Sequence, residues 1–359
     1  MTRPLRAEIS LSALQHNLQQ ARKAAPSSKL IAVIKANGYG HGMQLVAHAL
    51  NDADAFAVAS IEEAINLRES GVHQPIILLE GFFDADDLLL LQAYSLQPVI
   101  HSHQQLDMLE QASLTYAFDV WLKIDTGMHR LGFSSMDAKQ AYARLQDCDA
   151  VETIHAMTHF ACADDQENLA TAYQIALFKK TIGEIGINAS TSLANSAGIL
   201  GFPESHAEWV RPGIMLYGAS PFVDDDIESL SLKPVMNLAS ELISVREVMR
   251  GESVGYGGDW ICPEKMRVGI VACGYGDGYP RHAKSGTPVL INGQRVPLIG
   301  RVSMDMLAVD LRDCDAQVGE RVLLWGEGLP ADEVALHAET IAYELFCNIA
   351  PRVPRVEIE

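Results

Sequence analysis

Short apolar runs recur along the first two-thirds of the chain, each separated from the next by stretches of mixed polarity. The runs are LIAVIK (30–35), AFAVAS (55–60), PIILLE (75–80), LQPVI (96–100), DVWLKID (119–125), ETIHAMTHF (152–160), TSLANS (191–196) and WVRPGIML (209–216). Between them, SIEEAINLRESG (60–71), SHQQLDMLEQA (102–112) and QENLATAYQIALFKKTIGEIG (166–186) are amphipathic at helical spacing. Ser60 with Glu63 makes a capping box, and Gly71 stands where that helix should end. Eight strands alternating with helices over ~200 residues predict a (β/α)8 TIM-like barrel in preference to an open sheet. No G-x-G-x-x-G follows the first strand, which weakens a dinucleotide-binding reading.

Past residue 232 the pattern changes to short runs rich in valine and leucine: ELISVREVMRGES, KMRVGIVACGY, TPVLINGQRVPLIG, MDMLAVDL and GERVLLWGE. Asn292-Gly293, between VLI and QRV, is a two-residue hairpin signal. The expected organisation is an α/β barrel over residues 1–232 and a mostly-β domain over 233–359. The break falls near Lys233-Pro234, and the first residues are free to join the β domain.

Composition narrows the function. Of the 359 residues 48% are hydrophobic and 20% charged, ordinary for a globular chain. A net charge of −19 argues against nucleic acid and anionic membrane surfaces as partners, but leaves room for a local basic pocket. The opening MTRPLRAEIS has no apolar core of the kind a secretory leader needs, and no uncharged apolar stretch approaches the ~20 residues of a membrane span. The six cysteines are scattered without a C-x-x-C pair and read as reduced thiols of a cytoplasmic protein, so no structural metal is expected.

In a barrel, chemistry sits at the carboxyl ends of the strands. Lys35, Asp125 with the following TGMHR, His159, Ser196, and Arg211 with Gly213 all fall at such ends. Each has a plainer reading. A strand-end lysine usually serves only solubility, and His155 and His159, on a strand, are two satisfied histidines sooner than metal ligands. The glycines of NSAG and RPG, and of GYGDGYP (274–280), can be turn residues alone. Together they fit one chemistry: a lysine that bonds a cofactor aldehyde, a phosphate cradle of backbone N–H groups with Ser196 and the Tyr39 hydroxyl, and an arginine, which is the equipment for pyridoxal phosphate.

The segment IAVIKANGYGHG (31–42) resembles the cofactor-lysine segment of bacterial alanine racemases. The likeness runs in order through LKIDTGMHRLGF, THFACAD, ANSAG, VRPGIMLYG, VGYGG, GYGDGYPR, GRVSMDM and RVPR, over essentially the whole chain. The resemblance implies a fold-type III pyridoxal 5'-phosphate enzyme that works as a head-to-tail homodimer and interconverts L- and D-alanine, the latter used in peptidoglycan. It also implies roles. Lys35 carries the cofactor and serves the D face of the substrate; Tyr256, supplied by the other subunit, serves the L face. Tyr39, Ser196, Gly213 and Ile214 hold the phosphate. Arg130 binds the cofactor phenolate oxygen and the substrate carboxylate. His159 and Arg211 connect to the tyrosine base, and Arg211 faces the pyridine nitrogen. Lys123 matches a lysine carbamylated in some members. Met304 and Asp305 match a substrate-carboxylate loop, and Arg281 and Arg301 line the access corridor. Where some members carry a tyrosine before RVPR, at the inner gate, this chain has Pro351, so a wider gate and a broader substrate range, serine included, are expected to be open to it.

Other enzymes compete with this reading. A basic amino-acid decarboxylase needs an acid near the pyridine nitrogen, where Arg211 stands. A racemase for lysine or arginine would be expected with a secretory signal. A pyridoxal-phosphate-binding protein without activity would lack the second domain, and a class I aldolase would have no use for Tyr256.

Overall fold

The structure, a computed structural model, describes residues 3–112, 114–187, 189–222, 227 and 229–359. After an initial strand β1 (Arg6–Ser10), eight parallel strands close a barrel: β2 (Lys29–Val33), β3 (Ala55–Val58), β4 (Ile76–Leu78), β5 (Leu96–Ile100), β6 (Phe118–Lys123), β7 (Val151–Met157), β8 (Thr191–Ser192) and β9 (Trp209–Val210). Helices cover the strands from outside, so β2 to β5 are almost wholly apolar. Helix ends follow local chemistry. Ser10, Ser60 and Ser102 accept a hydrogen bond from the N–H three residues on, and Gly71 takes a left-handed φ of 91° just past its helix.

Below its mouth the barrel is plugged by polar aromatics. Trp121 and Trp209, on strands that are not neighbours, meet edge to face at 6.2 Å, and His155 stacks on Trp121 at 4.6 Å. Trp121 Nε1 donates to Gln97 Oε1 (3.0 Å), and Gln97 Nε2 donates to Asp119 (3.0 Å). A filled interior leaves only the carboxyl end open to a ligand.

The second unit is built from β10 (Met236–Val248), β11 (Ser253–Val254), β12 (Trp260–Ile261), β13 (Met266–Val271), β14 (Pro288–Ile291), β15 (Gln294–Ile299), β16 (Leu307–Asp310), β17 (Arg321–Trp325) and β18 (Arg355–Ile358). The long β10 pairs with β17 through its first half and with β13 through its second, closing a ring with β16, β15 and β14. Asn292 and Gly293, with φ of 52° and 76°, turn the β14–β15 hairpin as their sequence predicts. Strand β1 belongs to this sheet, antiparallel to β10 and parallel to β18.

The strand ends differ from the hydrophobic runs. Lys35 opens a helical turn (Lys35–Tyr39) after β2 has stopped at Val33, Ser196 opens a short helix (Ser196–Gly201), and Ile214–Tyr217 is a 3-10 turn. At Ser196–Gly201 and Ile214–Tyr217 the apolar run continues past the last ladder bond because these turns are themselves largely buried, and after β2 it continues through the buried Ile34. The capping box at Ser60 is half made. Ser60 Oγ accepts from the Glu63 N–H at 3.4 Å, but the Glu63 carboxylate turns to the N–H groups of Ala59 and Ala36 instead of that of Ser60.

Candidate active site

The turn that carries Lys35 has an unusual backbone. Ala36, Asn37, Gly38, Tyr39 and Gly40 have φ of 53°, 55°, 62°, 48° and 78°, a left-handed run in which three residues are not glycine. Such a conformation costs each L-residue ~1–2 kcal/mol and persists only where neighbours hold it. Several do. Asn37 Oδ1 accepts the Met43 N–H (2.9 Å), and Arg355 Nε donates to the Gly40 carbonyl (3.0 Å). At Gly40 a Cβ would lie 1.9 Å from the Phe346 carbonyl oxygen, so no other residue fits. The wholly buried His41 donates from Nδ1 to the carbonyls of Tyr39 (2.8 Å) and Gly38 (3.1 Å), which fixes its tautomer and leaves Nε2 without a partner.

Tyr39 is thereby turned back into the barrel mouth. Its ring stacks on Tyr217 at 4.7 Å, and its hydroxyl lies where a Cβ on Gly213 would come within 2.9 Å of it. Ser196 Oγ accepts from the Gly213 N–H at 2.9 Å, and the Ile214 N–H finds no protein acceptor among the described residues. Two hydroxyls and a free backbone donor around a glycine floor make a cradle of phosphate chemistry.

Beside this cradle lies a cluster of cations. Arg211 is only 4% exposed, and burial takes its pKa down to about 10, so it stays charged at neutral pH. Its guanidinium meets only neutral acceptors: Ser192 Oγ (2.6 Å), the carbonyls of Thr158 (2.6 Å) and Leu193 (3.1 Å), and His159 Nδ1 (3.3 Å). Because guanidinium can only donate, His159 must accept at Nδ1 and carry its proton on Nε2. Burial, then Arg211, Lys123, Arg130 and Lys35, hold His159 well below the usual imidazole range, so it is neutral. Burial and the neighbouring Arg211, Arg130 and Lys35 also bring the Lys123 amine down to about 8, against a smaller opposing pull from Asp125. Lys123, Arg130 and His159 share the walls of one small cavity. Asp125 does not pair with these cations. It caps the loop that presents Arg130, accepting from Gly127, Met128 and His129 N–H at 3.0–3.1 Å and facing His129 Nδ1 at 3.0 Å.

The site residues thus fall into two groups. Lys35, Tyr39, Lys123, Arg130, His159, Ser196, Arg211, Gly213 and Ile214 gather at the barrel mouth. Tyr256, Arg281, Arg301, Met304 and Asp305 stand on the β domain, and no hydrogen bond or ion pair among the described residues joins them to the first group. Tyr256 is 69% exposed on a turn whose Gly257 lies against the Arg301–Asp259 ion pair. The Met304–Asp305 loop is held by the GYGDGYP loop, through Tyr275 N–H to Ser303 O (3.0 Å) and Gly276 N–H to Met304 O (2.8 Å). Asp277, 1% exposed, pins both loops by pairing with Arg3 (2.7 Å) and Arg352 (2.8 Å), and Arg352 also reaches Asp305 (2.7 Å).

Three contributors escape a reading of motifs. Tyr343, a tyrosine of the second unit, sets its ring 5.9 Å from that of Tyr39, while Pro351 is exposed. Gln174 is buried and uses its whole amide: it donates to Thr126 Oγ1 (3.1 Å) and the His159 carbonyl (3.0 Å) and accepts from Ala161 N–H (2.9 Å). Glu63 is the third. Of these, only Glu63 carried a signal, as half of a capping box.

Comparison with known proteins agrees with this geometry. Residues 9–221 match the family profile described as alanine racemase, N-terminal domain, and residues 235–357 match that of alanine racemase, C-terminal domain. The chain is 52% identical over 350 residues to the alanine racemase of Shewanella sediminis and 53% identical over 350 residues to that of Vibrio parahaemolyticus, covering 97% of both chains in each case. The crystal structure of the biosynthetic alanine racemase from Pseudomonas aeruginosa superposes with a TM-score of 0.97 at 47% identity over 100% of both chains. That of the alanine racemase from Acinetobacter baumannii superposes at 0.95 with 38% identity over 99% of this chain and 100% of the other. Fold and comparisons together define an amino-acid racemase, an isomerase built from a barrel and a β domain. The chain belongs to the alanine racemase family.

Proposed function

We propose that the chain racemises alanine with pyridoxal phosphate at the barrel mouth, using one base from each of two subunits. The observation that carries this is the set of four cations, Lys35, Lys123, Arg130 and Arg211, around one mouth, with Arg211 buried and no carboxylate paired to it. Such a site is complementary to an anionic cofactor and an amino-acid carboxylate. When bound, pyridoxal phosphate supplies an electron sink that makes the substrate α-proton removable.

The protein does the rest. Tyr39, Ser196, Gly213 and Ile214 hold the phosphate, and Arg130 orients the phenolate oxygen and the substrate carboxylate. Arg211 donates a hydrogen bond to the ring nitrogen without giving up its proton. Lys35 would hold the cofactor through its amine and, once the substrate amine has taken its place, the freed lysine amine would move the α-proton on the D face. A base must also stand on the opposite face, and Tyr256 of the partner subunit takes that position. His159, with its proton on Nε2, donates toward that tyrosine oxygen and favours its ionised form. Lys123, part of whose amine is neutral near pH 8, is the lysine that could bond carbon dioxide through nitrogen with loss of a proton, and such a carbamate would orient Arg130.

The same geometry supports a homodimer: Tyr256 and Met304, at 69% and 54% exposure, are displayed on the β domain, where a partner's barrel mouth would bring them into use. Six free thiols and the absence, among the described residues, of a helix apolar enough to cross a membrane support a cytoplasmic enzyme. Whether it makes D-alanine or consumes it depends on supply, since the two products are mirror images.

Optical activity tests the proposal. L-Alanine with the enzyme and cofactor should lose its rotation completely, and Lys35→Ala should abolish the change. A constant signal with cofactor bound to the wild-type enzyme would refute alanine as substrate.

A further inference from the structure

Glu63 stands in the third position of the helix Ile61–Glu69, after β3, and its carboxylate spans two strand ends. Oε2 accepts from the Ala59 N–H at 2.9 Å, at the end of β3, and Oε1 accepts from the Ala36 N–H at 2.7 Å, just past the end of β2. Ala36 directly follows Lys35 and begins the left-handed run. Its N–H points to no other acceptor among the described residues, and its side chain is exposed. Farther along, the turn is held by Asn37, His41 and Arg355, all acting on residues 37 to 43. At the lysine itself, the only side chain of another element among the described residues that fixes the backbone is Glu63.

From this geometry we infer that Glu63 is a positioning residue for Lys35. It sets the angle at which the chain leaves β2, so that the Lys35 amine and the Tyr39 hydroxyl bracket one ligand at a fixed spacing. A carboxylate suits the task because both of its oxygens only accept, and it faces two N–H donors. A carboxamide of the same shape keeps one acceptor and turns an NH2 group against the other donor. The inference rests on Lys35 being the cofactor lysine.

The test uses the holoenzyme and Glu63→Gln. Borohydride reduction followed by peptide mass mapping first asks which lysine of the wild-type enzyme carries pyridoxal phosphate. A label elsewhere than Lys35 would fail the proposed function, and this inference with it. With the label on Lys35, Glu63→Gln should weaken cofactor binding about tenfold, measured by absorbance titration of the apoenzyme. It should also speed hydrogen exchange in a peptide spanning residues 34–41, leave exchange in β5 to β7 unchanged, and lower kcat more than it raises KM for alanine. Wild-type affinity together with wild-type exchange at 34–41 would overturn the inference while leaving the Lys35 reading intact. If the variant does not fold, the wild-type protein decides: an Ala36 amide that exchanges as fast as a free loop amide also overturns it.

Discussion

Replacing His41 with asparagine isolates one buried ionisation behind the cofactor turn. The ring has no exposed surface and packs 4.7 Å from Tyr217 and 4.9 Å from Phe346. Burial brings its pKa from 6.5 down to about 4; the Tyr39 and Gly38 carbonyls oppose this, and Arg355 adds to it. Above pH 6.5 the ring is neutral in both the folded and the unfolded chain. As pH falls from 6.5 toward 4 the unfolded chain takes up the proton and the folded one does not, so stability is lost across that window and levels off below it. The full gap is worth ~3 kcal/mol, of which ~2 kcal/mol is gone by pH 5. Asparagine can donate to the same carbonyls and does not titrate. Urea unfolding of the two proteins at one concentration, at pH 7.5, 6 and 5, removes the carboxylate titrations they share. The stability advantage of wild type over His41→Asn should shrink by ~2 kcal/mol between the first and last pH. A constant difference would mean the ring is not held neutral in the fold, and a growing one would mean it is held charged; either refutes the reasoning.

Other perturbations have equally definite outcomes. Gly213→Ala puts a methyl group within 2.9 Å of the Tyr39 hydroxyl and should weaken pyridoxal phosphate at least ~10-fold in an absorbance titration, with little change in the urea midpoint. Tyr256→Phe should cut racemisation by ~100-fold or more while D-alanine still exchanges its α-proton with deuterated solvent, followed by proton NMR. Asp277→Asn leaves Arg3 and Arg352 without their shared carboxylate and should cost ~2 kcal/mol in urea unfolding and raise KM for alanine through the Met304–Asp305 loop. Gln174→Glu replaces two donated hydrogen bonds with an acceptor facing acceptors, and should lower kcat with cofactor affinity kept.

The barrel strands were legible as apolar runs, most plainly β2 to β5, which are largely buried on both faces, and the hairpin was legible because Asn-Gly readily supplies two consecutive left-handed residues. The ends of the runs were misleading for the same reason: buried turns such as Ile214–Tyr217 are as apolar as strands, and hydrophobicity does not report where a ladder stops. The site divided differently. Lys35, Arg211 and Ser196 announce themselves as polar residues at strand ends. Gln174, within the helix Ala170–Ile185, and Tyr343, in the first turn of the helix Ala342–Cys347, reach the site from helices, where glutamine and tyrosine are unremarkable, and only the packing of those helices gives them a role. The left-handed run at Ala36–Gly40 was illegible because alanine, asparagine and tyrosine do not encode it; Arg355, Phe346 and His41 impose it from outside, two of them from over 300 residues away in the chain.

Strand β1 sets the order in which this molecule can be built. Arg6 pairs with Ala239 and Ala7 with Arg355, so a strand made before the barrel meets one partner, β10, just after the barrel and the other, β18, only about 350 residues after itself. At typical synthesis rates that interval is ~20–70 s. The barrel has all its strands in hand well before then, and β10 can cover one side of β1, but the other edge stays open until β18 is made, free to pair with another nascent chain. Completion of the second unit's sheet therefore waits for β18, and its rate is tied to some of the most distant contacts in the sequence. Overproduction at high temperature should yield aggregates seeded by N-terminal fragments, and slower synthesis should not relieve them. The last edge of this sheet to close is the one between β1 and β18.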